Sequence, residues 1–122
     1  MHHAILSHIK KIEDYWKYTL PLYYQKVLIH IIQDQAIFEV ECKENEEDVF
    51  ICFYNAFDLI ERNKTYQIQV HEPHYLMIGQ EGDQGYFISN IENDLTLYCL
   101  DLGAIGSLDM QPFTQDLNIL FL

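Results

Sequence analysis

Glu81 and Asp83 stand two residues apart in the stretch Tyr75 to Asn90, YLMIGQEGDQGYFISN. Two carboxylates so close could divide acid and base work between them, as glycoside hydrolysis requires. Turn chemistry accounts for the same residues without catalysis. Aspartate closes turns through its side chain, and Gly79, Gly82 and Gly85 offer positive φ at little cost. A second acidic group, Glu44, Glu46, Glu47 and Asp48, could coordinate a cation or dock a basic surface, or simply be a solvated loop. Of the six histidines, His71 and His74 could meet a metal only if the chain around Pro73 folded them together, and no third ligand stands at a motif spacing. His2 and His3 lie near the start, and His30 on an apolar helix reads as a packed core residue.

Cys52 and Cys99 have no adjacent cation or helix N-terminus to lower a thiol pKa, so neither reads as a nucleophile. No Gly-x-Ser-x-Gly elbow, phosphate loop or dinucleotide fingerprint is present. The three glycines of the hairpin resemble a phosphate cradle only in spacing: Glu81 and Asp83 would repel the anion, and no Lys or Arg is near. The residue types thus point to no catalytic group, metal or cofactor. Glu44, Glu46, Glu47, Asp48, Glu81 and Asp83 remain as candidate contacts for a protein partner. Tyr15, Trp16, Tyr18, Tyr23 and Tyr24 form an aromatic cluster that is either core or an interface patch.

Charge sharpens the partner's chemistry. The net charge is -12 over 122 residues. Residues 1–40 are balanced, whereas residues 41–122 hold three bases against fifteen acids. Phosphate contact needs the opposite sign, so this balance argues against nucleic acid as a direct ligand. A basic protein is favoured, with solubility as the bland alternative. No apolar run approaches the roughly 20 residues of a membrane helix. The opening MHHAILSHIKK lacks the order of a signal peptide. Cys42, Cys52 and Cys99, an odd number in apolar runs, read as buried thiols of a reducing cytoplasm.

The elements that must hold these residues follow from periodicity. Ile5, Ile9, Ile12 and Trp16 make one stripe of a helix over 4–18. Pro21 interrupts it and opens a second helix, Leu22 to Gln33, whose apolar IHII would sit between the first helix and the sheet. Ile37 to Lys43 alternates as a half-buried strand, and 43–48 is a charged loop. Val49 to Tyr54 is a continuous apolar run, either a strand covered on both faces or the lead-in to a helix. Asn55 caps a short helix, Ala56 to Asn63, with Asp58 completing a capping box. Thr65 to Val70 reads as a strand.

The Tyr75–Asn90 hairpin, with a loop longer than two residues, is expected at the middle of the sheet. Leu95 to Leu100 follows as a strand, and Pro112 opens a final helix, Phe113 to Leu122. The expected architecture is one α+β domain over residues 1–122: two N-terminal helices, a mostly antiparallel sheet with an inserted short helix, and a C-terminal helix.

Several of these segments together resemble the SUKH superfamily, the group that includes the yeast cell-wall-synthesis regulators of the Smi/Knr type. They are Leu20-Pro21 before an aromatic second helix, FICFYNAFDLI at Phe50 to Ile60 with Glu61-Arg62-Asn63, and IGQEGDQGYFI at Ile78 to Ile88. Leu97-Tyr98-Cys99-Leu100-Asp101 and the closing Pro112 to Leu122 complete the pattern, over about residues 20–122. The resemblance implies a non-catalytic α+β domain. It also implies, for the bacterial branch, an immunity protein that binds and neutralises a toxin, often a nuclease with a basic cleft. The eukaryotic relatives suggest a second expectation: an intracellular scaffold or regulatory module that binds a peptide or helix through the aromatic patch. An enzyme built on Glu81 and Asp83 is the third.

Overall fold

The computed structural model describes residues 2–44, 46–113 and 117–121. Helix α1, His2–Trp16, buries the expected stripe of Ile5, Ile9, Ile12 and Trp16. It stops at Lys17, whose φ of 77 reverses the chain, and Glu13 then accepts the Leu20 N–H at 2.7 Å. Helix α2, Leu22–Lys26, continues as a π-helical turn, Val27–Ile32, so the expected second helix exists but widens halfway. The widening buries Val27, Leu28 and Ile32 and leaves Ile31 37% exposed. His30 is exposed rather than core, with its ring against that of His2.

Six antiparallel strands form one sheet in chain order: β1 Glu39–Glu44, β2 Glu47–Phe53, β3 Tyr75–Glu81, β4 Gln84–Ser89, β5 Tyr98–Asp101 and β6 Gln111–Pro112. The β3–β4 hairpin lies in the middle, as expected. Leu76, Ile78, Tyr86 and Ile88 face the main core with α1, and Met77 and Phe87 face a second cluster with Ile68 and Leu100. Its loop is shorter than expected. Glu81 pairs with Gln84, leaving Gly82 and Asp83 as a two-residue turn with positive φ only at Gly82, the type II′ pattern that matches strand twist. Gly79 to Glu81 and Gln84 to Gly85 extend the two strands instead, and a bulge lies between Met77 and Gly79. Gly79 itself must stay bare: a Cβ there would sit 2.9 Å from Phe53 Cδ1 and 3.0 Å from the Cys52 carbonyl.

Residues 65–70 are not a strand. Helix α3, Leu59–Thr65, is followed at Gln67, in the left-handed region, by helix α4, Ile68–His71. The alternation that suggested a strand fails: Ile68 is buried and Val70 is 74% exposed. The asparagine cap is displaced, not lost. Asn55 Oδ1 accepts the N–H groups of Phe57 and Asp58 at 2.9 and 3.0 Å in the turn before α3. Nor is β2 covered on both faces, since Phe50 is 49% exposed. Of the expected closing helix, the described residues include α5, Leu117–Leu120. Pro112 lies in β6 opposite Tyr98, and residues 114–116 and 122 of that expectation fall outside the described residues.

One polar side chain completes the sheet. β2 reaches β3 only at Gln80 and Gly79. Beyond them Asn63 takes the missing strand's place, donating to the Met77 carbonyl and accepting the Met77 N–H, both at 2.9 Å. Gln69 donates to Asn63 Oδ1 and to the Tyr75 carbonyl, and Tyr15 donates to Gln69. A buried edge that would otherwise leave two backbone groups unpaired is thereby satisfied.

Candidate functional site

The two expected acidic groups share one end of the sheet. Glu44 pairs with Glu47 and Glu81 with Gln84, so both hairpins turn at that end. The pairing of Cys52 with Gln80 sets their relative reach. Continuing that register puts Phe50 level with Gly82, so the β1–β2 hairpin projects about 13 Å further. The segment expected to be a charged loop is therefore mostly strand. Glu44 ends β1, Glu46 is the left-handed turn residue at φ 69, and Glu47 and Asp48 open β2. Glu81 ends β3 and Asp83 lies in its turn, where its carbonyl accepts the Leu102 N–H at 2.8 Å.

The register adds three carboxylates that sequence reasoning left out of the site. Asp101 lies opposite Gln84, and Glu39 and Glu41 are exposed on β1 opposite Cys52 and Phe50. Alternation already turned Glu39 and Glu41 away from the core; only the pairing of strands could bring them to this end. Nine carboxylate-bearing positions thus gather where the strands contribute one base. That base, Lys43, meets Asp48 at 3.3 Å with both side chains at least half exposed, a pair worth at most about 1 kcal/mol. Among the described residues this is the one ion pair at the acidic end, so the described carboxylates other than Asp48 meet no cation there.

The aromatic cluster does not form one patch. Successive helical residues point about 100° apart, which sends Trp16 and Tyr24 into the core at 2% and 1% exposure and Tyr15 toward Gln69. Burial pushes the Tyr24 hydroxyl well above its usual pKa. Tyr18 and Tyr23 alone line a groove of about 580 Å³ with Pro21, Leu22, Ile91 and Leu95. Asp94 fastens its far wall. It accepts from Ser89 and Tyr98 hydroxyls at 2.7 and 2.8 Å and from the Thr96 N–H at 3.0 Å. Burial alone would raise its carboxyl pKa, but those three donors outweigh it and hold the group below its ordinary value.

The remaining candidates disperse. His71 lies against Gly106, and His74 is near Tyr18 and Asn90. Among the described residues no three His, Cys, Asp or Glu side chains are grouped to hold a metal. Cys42 and Cys99 are buried and Cys52 is half-buried. Arg62, the chain's lone arginine, entered the sequence reading only within Glu61-Arg62-Asn63, with no role assigned to it. It stacks over Tyr54 and Tyr66 at 5.9 and 5.3 Å and donates to Tyr66 and Gln80, bracing α3 on the sheet. Burial, countered in part by this guanidinium, pushes Tyr54 up to about 12.

Among the described residues no helix is long and apolar enough to cross a membrane. No protein-family model matches the chain, and no curated protein matches it.

Proposed function

We propose that this chain is a non-catalytic protein-binding domain that captures a basic partner with the acidic end of its sheet. The observation behind the proposal is the convergence of Glu44, Glu46, Glu47, Asp48, Glu81 and Asp83 at one end, joined there by Glu39, Glu41 and Asp101. Such a field speeds encounter with a positive surface and orients it. The SUKH resemblance narrows the partner to a toxin domain, with a nuclease cleft as the surface best matched in sign, and the role to neutralisation by occlusion in the cytoplasm. Mixing the protein with the toxin domain encoded beside its gene tests this. A stoichiometric complex should form at low salt and weaken steeply as salt rises. Combining Glu47→Gln, Glu81→Gln and Asp83→Asn should slow association by about tenfold. Unchanged kinetics in that triple variant would remove the acidic end from the interface.

The groove supports a second reading, a regulatory module that takes a peptide or helix. Leu22 and Ile91, at 66% and 62% exposure, flank Tyr18 and Tyr23 there. Binding of that kind would be insensitive to salt and lost in Tyr23→Ala. Tyr24→Ala cannot serve the same test, because Tyr24 belongs to the core.

A further inference from the structure

The ladder between β1 and β2 fixes which backbone groups of β1 look outward. Phe53 N–H donates to the Phe38 carbonyl at 2.8 Å, which makes those two a hydrogen-bonded pair. Such pairs alternate with non-bonded ones along an antiparallel ladder. Val40 with Ile51 and Cys42 with Val49 continue the bonded series, so the N–H and C=O of Glu39 and Glu41 turn toward the outer edge. β1 is the terminal strand of the sheet, and among the described residues no other strand or loop backbone bonds to Glu39 or Glu41 from that side.

Open edges are commonly defended by charge, and Glu39 and Glu41 defend this one against a second copy, whose own carboxylates would face them. Defence alone does not account for the apolar side chains beside it. Phe50, directly across from Glu41, is 49% exposed, and Ile37, just before the strand, is 70% exposed. An edge that repels its own kind, carries negative charge and borders exposed apolar surface is matched to a basic strand.

We propose that β1 accepts an extended, Lys- or Arg-bearing segment of a partner protein as a seventh strand. The basic side chains lie against Glu39 and Glu41, and their aliphatic stems extend the apolar surface begun by Phe50. Main-chain bonds to Glu39 and Glu41 supply affinity, and the carboxylates select the partner. This inference rests on the reading of a basic partner and adds the mode of capture.

The test uses the isotope-labelled full chain and a synthetic peptide of alternating Lys and Val with both termini blocked. Amide exchange at Glu39 and Glu41 should slow by about tenfold in the complex. Glu41→Pro deletes one outward donor while sparing the β1–β2 ladder, and should weaken binding about tenfold, the equivalent of one hydrogen bond. Glu41→Gln keeps the N–H and should lose less. The exchange measurement decides the matter on the unmodified protein should the proline variant not fold. Salt-sensitive peptide binding without protection at Glu39 and Glu41 overturns strand addition and leaves the acidic-end reading intact. Protection of those amides without peptide, together with dimerisation, overturns the assigned occupant. Failure to bind the peptide at low salt, alongside capture of a basic toxin domain, likewise overturns strand addition; failure with both overturns the two proposals together.

Discussion

The β1–β2 and β3–β4 hairpins begin from similar material and end in opposite environments. Both have two-residue connections at the same end of the sheet, with Glu44 opposite Glu47 and Glu81 opposite Gln84. Both carry dense apolar runs, FICFY in one and GYFIS in the other. Yet Gly85 to Ser89 are all buried, whereas Phe50 and Cys52 leave one face of β2 partly open. The difference is position. β3 and β4 have strands on either side and clusters on either face, while β1–β2 has the main core on one face only. A strand's own hydrophobicity sets what it can bury; its neighbours set what it does bury.

The comparison is broken most directly by truncating one phenylalanine from each hairpin. Phe87 is wholly buried in the second cluster, so Phe87→Ala should cost about 3–5 kcal/mol, the usual penalty for transfer plus cavity. Phe50→Ala removes a ring that already meets water and should cost less than about 1 kcal/mol. Denaturant unfolding of the two variants measures both. Equal losses would mean that Phe50 is covered in solution and that the hairpins do not differ as described.

Two stretches of strand left without a strand neighbour, part of β3 and the outer side of β1, offer the next contrast. Where β2 falls short, Asn63 seals the edge of β3; nothing comparable among the described residues seals β1. Asn63→Ala leaves the Met77 N–H and carbonyl buried without their partner, which should cost about 2–4 kcal/mol. Amide exchange at Met77 should rise more than at Tyr86, which remains within the ladder. A loss under about 1 kcal/mol would show that water or a shifted β2 replaces the side chain.

How far the sequence disclosed this arrangement depended on the kind of signal. The α1 stripe and the alternation of Phe38 to Lys43 were legible because one buried face imposes a strict period. The central hairpin was legible as an element, but its loop length was not: Gly79 to Glu81 and Gln84 to Gly85, polar and glycine-bearing like a turn, are paired strand. Residues 65–70 misled because Tyr66, Ile68 and Val70 mimic period two, while the left-handed break at Gln67 leaves Tyr66 in the turn after α3 and puts Ile68 and Val70 in α4. The acidic residues could be named one by one, but their assembly depends on strand register, which is a tertiary fact. Asn63 was misplaced as the end of a helix because a side chain acting as a strand leaves no local trace.

Carboxylates carry the comparison to its smallest effects. Glu41 faces solvent on the outer hairpin, so Glu41→Gln should alter stability by no more than about 0.5 kcal/mol. Asp94 accepts three hydrogen bonds where β4 turns toward β5. Asp94→Asn keeps the shape but loses the charge that strengthens those bonds, a cost of about 1–2 kcal/mol at neutral pH. The sign with pH follows from the lowered carboxyl pKa. The native state favours the ionised form, so Asp94 contributes its full stabilisation above the ordinary value of 3.8 and loses it as pH falls through the lowered folded value. Unfolding curves of the wild type and Asp94→Asn should therefore differ at neutral pH and converge in acid. A gap between wild type and Asp94→Asn that held constant into acid would trace the loss to packing of the side chain and not to its charge, because only a charge effect disappears when the carboxylate takes up its proton.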